Sequence, residues 1–97
     1  MRKPKSIHVS GRRWFEKVNG NTYHSCTVWA DGEFVGRVPF TYGYGSQWEQ
    51  TALDILKAAV GRKRWLAGAK YPLSLFLRES GIKYRSEVVD VSRKKDL

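Results

Sequence analysis

Two histidines, one cysteine and a few isolated carboxylates are the residues of this chain whose types could do covalent or acid–base chemistry. His8 and His24 fall in different segments, and together they would make an acid and base pair for phosphodiester cleavage. Cys26 follows His24 by two positions in a stretch of alternating character. That spacing puts both on one face of a strand, the buried one, rather than making a tuned thiol and its base. One cysteine and two histidines without ligand spacing do not describe a metal site. Asp54, Glu79, Glu87 and Asp90 stand singly, so no carboxylate dyad is legible. The phosphate-loop and dinucleotide fingerprints are missing from the sequence. Nothing in it argues for a catalytic role, a metal or a cofactor.

Binding chemistry is better represented. Eighteen Lys and Arg stand against nine Asp and Glu, a formal charge of +9 on 97 residues. Such a surplus favours a polyanionic partner. The cations cluster at Arg2 to Lys5, Arg12-Arg13, Arg62 to Arg64 and Arg93 to Lys95. Four Trp, five Tyr and four Phe accompany them, many for this length. Aromatic faces beside basic side chains are how single-stranded nucleic acid is held, because every base stacks and every linkage is charged. The expected phosphate contacts are Arg12, Arg13, Arg37, Arg62, Lys63 and Arg64. The expected stacking residues are Trp14, Tyr23, Trp29 and Tyr44. Low sequence specificity follows, with single strands preferred to duplex. The alternative is a protein interface, since Tyr, Trp and Arg also anchor those. Self-association is a third reading.

These side chains need elements to position them. Ile7 to Val18 reads as a first strand with a bulge expected at Gly11. Asn19-Gly20-Asn21 is a turn, and Thr22 to Ala30 is a second strand. Asp31-Gly32 has the type I′ hairpin signature, and Glu33 to Phe40 follows as a third strand, placed at an edge by Pro39. In the second strand Cys26, Val28 and Ala30 alternate with Tyr23, Ser25, Thr27 and Trp29. The small set suits packing under helices and leaves Tyr23 and Trp29 on the other face. In the third, Phe34, Val38 and Phe40 share a parity opposite to Val35 and Arg37.

Ser46 to Val60 shifts to helical period, with Trp48, Ala52, Ile55, Leu56 and Ala59 on one face. Ser46 and Glu49 have capping-box spacing. Thus FTYGYGSQWEQ, residues 40–50, is a strand-to-helix corner, and its Tyr42 to Trp48 portion is also a candidate contact loop. Pro72 opens a second helix that Gly81 closes. Ile82 to Ser92 reads as a last strand. The expectation is one α+β domain spanning 1–97, in the order β-β-β-α-α-β: an antiparallel sheet of about four strands with two helices on one face. Residues 1–5 form a loose basic lead and 93–97 a charged tail.

The hairpin VWADGEFVGRV and the Ala-containing helix after it resemble the later part of a double-stranded-RNA-binding domain, over Thr22 to Val60. In that family the start of the final helix is Lys-rich; the matching positions here read Ser46-Gln47-Trp48-Glu49-Gln50. The resemblance implies three antiparallel strands followed by a packed helix, and contact with duplex RNA. The compact, basic, aromatic-rich chain, with NGNTYHS and YGYG, is also similar to small proteins encoded by tailed bacteriophages. That likeness implies a host cytoplasmic location and a host protein as possible partner, the accessory-factor form of the alternative. A lone cysteine fits a reducing compartment. The basic start lacks the apolar run of a signal peptide, and no stretch is apolar for long enough to cross a membrane.

Overall fold

The computed structural model describes residues 3–61 and 64–97. Strands β1 (Ser6–Glu16), β2 (Asn21–Ala30) and β3 (Glu33–Tyr42) come first. Helix α1 (Gln47–Val60), a single 3-10 turn (Arg64–Leu66), helix α2 (Leu73–Glu79) and β4 (Lys83–Val91) follow. A last 3-10 turn, Lys94–Asp96, closes the described chain. This is the expected α+β order, β-β-β-α-α-β.

The turns follow from local chemistry. Asp31 and Gly32 have φ of 51° and 82°, the positive pair that a type I′ hairpin needs. The Asp31 carboxylate also accepts the backbone N–H groups of Lys5 and Ser6, at 2.9 and 3.0 Å. Pro4 is buried. The basic lead, expected loose, is therefore tied down from Pro4 onward.

The strand order is β3-β2-β1-β4. β1 pairs antiparallel with β2, and β2 with β3, but β4 runs parallel to β1. The sheet is mixed, which corrects the expectation of an antiparallel one. The reason lies in the connection: the helices carry the chain back across the sheet, so β4 re-enters running the way β1 does, as crossover connections do.

Ile7, Val9, Cys26, Val28 and Ala30 turn one face of the sheet toward α1 and α2. There they meet Trp48, Ala52, Leu53, Ile55, Leu56, Leu73 and Leu77 in one buried cluster. Ala59, expected on the buried face of the helix, is exposed; Leu53 and Val60 are buried instead. No bulge occurs at Gly11, whose pairing with Cys26 and Val88 is in register. Its missing side chain has another use: a Cβ there would lie 3.1 Å from the Trp48 indole. Trp48 sits down on β1 because Gly11 leaves room. Gly36 does the same on β3, where a Cβ would come within 2.7 Å of Ile55 Cγ2.

The corner before α1 is built differently from a capping box. Ser46 makes no side-chain cap bond. Its hydroxyl lies 2.8 Å from the Tyr71 hydroxyl, and only its carbonyl is used locally, accepting the Glu49 N–H at 2.9 Å. What fixes the corner is His24. Its Nδ1 lies 3.1 Å from the Gly43 carbonyl, and its Nε2 lies 2.7 Å from Thr51 Oγ1. A carbonyl only accepts, so Nδ1 carries the proton, and Nε2 accepts from the threonine hydroxyl.

Candidate functional site

Away from the helices, the sheet presents Ser6, His8, Ser10, Arg12 and Trp14 from β1. These stand opposite Trp29, Thr27, Ser25 and Tyr23 of β2, and Lys83, Arg85, Glu87, Val89 and Val91 of β4. Trp14 stacks on Tyr23 at 5.8 Å between ring centroids, and Tyr23 stacks on Phe40 at 4.7 Å. Tyr42 meets Tyr23 edge-on at 5.8 Å. The result is a run of four rings across three strands at one end of the face. At the other end His8 stacks on Trp29 at 5.1 Å, and Phe34 pairs with Trp29. Trp29 lies six positions after Tyr23 along β2, about 20 Å of extended strand. Phe34 is 64% exposed and Tyr42 60%.

Two of these rings come from an irregularity in β3. His24 pairs with Thr41 and Cys26 with Val38, so Pro39 and Phe40 together face Ser25. A second shift falls between Val28 and Trp29. Val38 therefore packs against the core, while Phe40 stacks on Tyr23 on the open side. The expected shared parity of Phe34, Val38 and Phe40 fails there, because each bulge shifts the alternation by one. Pro39, barred from a regular ladder, was the signal in the sequence for the bulge that turns Phe40 outward.

Charge lies between the two aromatic ends. Arg37 donates from Nη1 to Thr27 Oγ1 and from Nη2 to the Leu97 main-chain oxygen, both at 3.0 Å. Arg12 Nη1 donates to the Asp96 carbonyl at 2.9 Å. Lys94 Nζ lies 4.7 Å from the centre of the Phe40 ring, a cation–π contact. The C-terminal segment thus rests on the middle of this face. Both arginines are exposed, and neither is paired with an Asp or Glu side chain among the described residues. Each guanidinium carries five N–H donors, so donors remain for a ligand.

The structure brings together Arg12, Trp14, Tyr23, Trp29 and Arg37 of the expected site. It separates two others. Arg13 points to the helix side, where it holds Asp90 at 2.7 Å and the Gly45 carbonyl at 3.0 Å. Tyr44 lies in the loop before α1 and lines an open pocket of about 420 Å³ with Ser46, Gln50 and Tyr71. Arg62 and Lys63 lie outside the described residues, as does the Arg64 side chain. Phe34, Phe40 and Arg85 join the face without having been singled out, and with them come Tyr42, expected in the contact loop, and Lys94, expected in a basic cluster of the tail.

The acid–base reading finds no geometry to support it. His8 is on the open face, 3.2 Å from Glu87, whereas His24 is buried on the helix side. Burial lowers the His24 pKa, against the smaller opposing effect of the Gly43 hydrogen bond. Burial pushes the Cys26 thiol up to about 12, so it stays protonated and apolar. No group of metal-ligating side chains forms among the described residues, and no helix among them is long and apolar enough to cross a membrane.

No family model, curated protein or solved structure matches the chain.

Proposed function

We propose that the open sheet face binds nucleic acid, single strands in preference to duplex, through phosphate contacts and base stacking with little sequence reading. The observation that carries this is the ring run Trp14, Tyr23, Phe40 and Tyr42, flanked by Arg12, Arg37 and Lys94, on a chain of charge +9. Stacked rings that are already ordered lose little entropy when a base adds to them, and every base offers a π-face. Cations beside the rings supply the attraction that no base sequence governs. A free thiol kept protonated by burial accords with a cytoplasmic setting, the host cytoplasm if the chain is phage-encoded.

A second reading rests on the C-terminal segment. Arg12 and Arg37 already spend donors on the main-chain oxygens of Asp96 and Leu97, which leaves Phe34 and Tyr42 as the most exposed large apolar groups on the face. That balance favours a protein partner, such as a host factor that an accessory protein would modulate. Salt separates the readings, because neutralising phosphates releases counterions and a protein interface releases few.

The test is tryptophan fluorescence titrated with single-stranded DNA, duplex DNA and duplex RNA at low and near-physiological salt. Trp14 and Trp29 lie on the face, while Trp48 is buried between α1 and the other side of the sheet. The expected result is quenching by the single strand with a steep salt slope, lost when Trp14 and Trp29 are both changed to Phe. Absence of quenching and of any mobility shift with all three probes sinks the nucleic-acid reading and turns the search to a protein partner.

A further inference from the structure

The sheet has two edges, and they are unlike. β3 carries Pro39 and two register shifts, devices that keep an edge from pairing with another chain. β4 has neither: its nine residues hold one register against β1, from Ser6–Lys83 to Trp14–Val91. The Lys83 N–H donates to the Lys5 carbonyl at 3.0 Å, so Lys83 and its alternates turn their backbone groups to β1. Tyr84, Ser86, Val88 and Asp90 therefore turn theirs outward, as a ready template for another strand. Most of β4 is exposed.

We infer that β4 is the pairing edge for a second copy of this chain, antiparallel and centred on Ser86. The side chains choose the partner and the register. Centred on Ser86, Arg85 of each copy faces Glu87 of the other, Tyr84 faces Val88, and Lys83 lays its stem along Val89. The two-fold axis makes every pair count twice. Centring on Arg85 or on Glu87 would put like charges face to face at the axis, and centring on Val88 would bring Lys83 against Arg93. Only the Ser86 register among these four matches opposite charges without also opposing like ones, and opposed charges across antiparallel strands stabilise where like charges repel. Glu87 already lies 3.2 Å from His8, so its second oxygen is the one that takes the incoming guanidinium. Directly opposed residues point the same way, so the open faces of both copies lie on one side of an eight-stranded sheet. This pairing stands on the edge itself and does not depend on what the face binds.

Sedimentation equilibrium at roughly 0.15 M salt, where the net charge is screened over about 8 Å, reads the outcome. The expected species has twice the 11.2 kDa of one chain. Arg85→Glu sets Glu against Glu twice and weakens the dimer about tenfold or more. Arg85→Glu with Glu87→Arg restores the match and the dimer. A second readout needs no variant: amide exchange at Ser86 and Val88 slows as protein concentration rises. A mass of one chain at every concentration overturns the inference. So does a dimer indifferent to Arg85→Glu, or a charge swap that fails to restore it. Fluorescence titration with single-stranded DNA scores the binding face separately, so failure of one leaves the other standing.

Discussion

His24 is the residue on which the corner before α1 depends, and its environment makes a pH prediction. It is 1% exposed, and both ring nitrogens are engaged, by the Gly43 carbonyl and the Thr51 hydroxyl. Burial favours the neutral ring, so the folded pKa lies below the ordinary histidine value of 6.5. The unfolded chain then binds a proton that the folded one refuses. Stability conferred by the neutral ring is complete above the unfolded pKa and is lost as pH falls from there toward the folded pKa. The thermal midpoint should drop between pH 7.5 and pH 5.5 in the direction that linkage at a pKa near 6.5 gives. His24→Gln should flatten that slope while costing about 1–3 kcal/mol at neutral pH, since the buried Gly43 carbonyl and the half-buried Thr51 hydroxyl lose their partner. A midpoint as steep in His24→Gln as in the parent would assign the pH dependence to another group. Glu49 does not mimic this. Its pKa is raised by burial, so it lowers stability as pH rises through its own range, the opposite sense.

Gly36 poses a steric question at the same scale. Its Cβ would meet a branched methyl of Ile55, which has little freedom to withdraw in a packed core. Gly36→Ala should destabilise by about 1–3 kcal/mol, the usual range for overpacking, despite the gain in strand propensity. Urea unfolding checks it; a neutral or stabilised variant would mean that α1 yields easily over β3.

At the scale of elements, the hairpins, both helices and the last strand were legible because turn residues and hydrophobic period are local signals. Asp31-Gly32 needed only its own chemistry, and Cys26-x-Val28-x-Ala30 only its alternation. What stayed hidden depended on distant atoms. The direction of β4 is set by where two helices deliver the chain, which no strand pattern encodes. The inward turn of Val38 and outward turn of Phe40 depend on a bulge opposite Ser25, so period-2 reading of β3 lost half of the aromatic run. Gly11 looked like an interruption of β1 because its partner, Trp48, is 37 positions away in the sequence.

The capping box illustrates the same limit and can be tested. Ser46 and Glu49 have the right spacing, yet the serine hydroxyl is bonded to Tyr71, 25 positions on. A double-mutant cycle should therefore find coupling between Ser46→Ala and Tyr71→Phe, about 0.5–1 kcal/mol for an exposed neutral hydrogen bond. Between Ser46→Ala and Glu49→Gln it should find almost none. The reverse pattern would restore the local cap and remove the link between α1 and the segment before α2.

At the scale of the whole molecule, the +9 charge was plain in the composition, but its placement was not. Arg13, adjacent to Arg12, faces the other side of the sheet and is consumed by Asp90 at 2.7 Å. Of this neighbouring pair only Arg12 can serve the open face. The proposed function then makes a graded prediction. Arg12→Ala and Arg37→Ala should each weaken single-strand binding by a similar factor for every sequence, and each should reduce the salt slope by about one. Arg13→Ala should leave the slope unchanged and lower stability instead, by up to about 1 kcal/mol for a largely exposed pair. Tyr23→Ala should cost about 1–3 kcal/mol of binding with the slope intact, because a lost stack releases no counterion. The C-terminal segment adds a sign that distinguishes the two readings of the face. If phosphate takes the place of the Asp96 carbonyl, Arg12 gains a charged acceptor for a neutral one, and charge-assisted bonds are the stronger. Lys94→Ala should then weaken nucleic-acid binding and lower the slope as well. If Lys94→Ala leaves nucleic-acid binding and its slope unchanged, the segment is no part of a grip on phosphate, and the exposed aromatics belong to a protein partner.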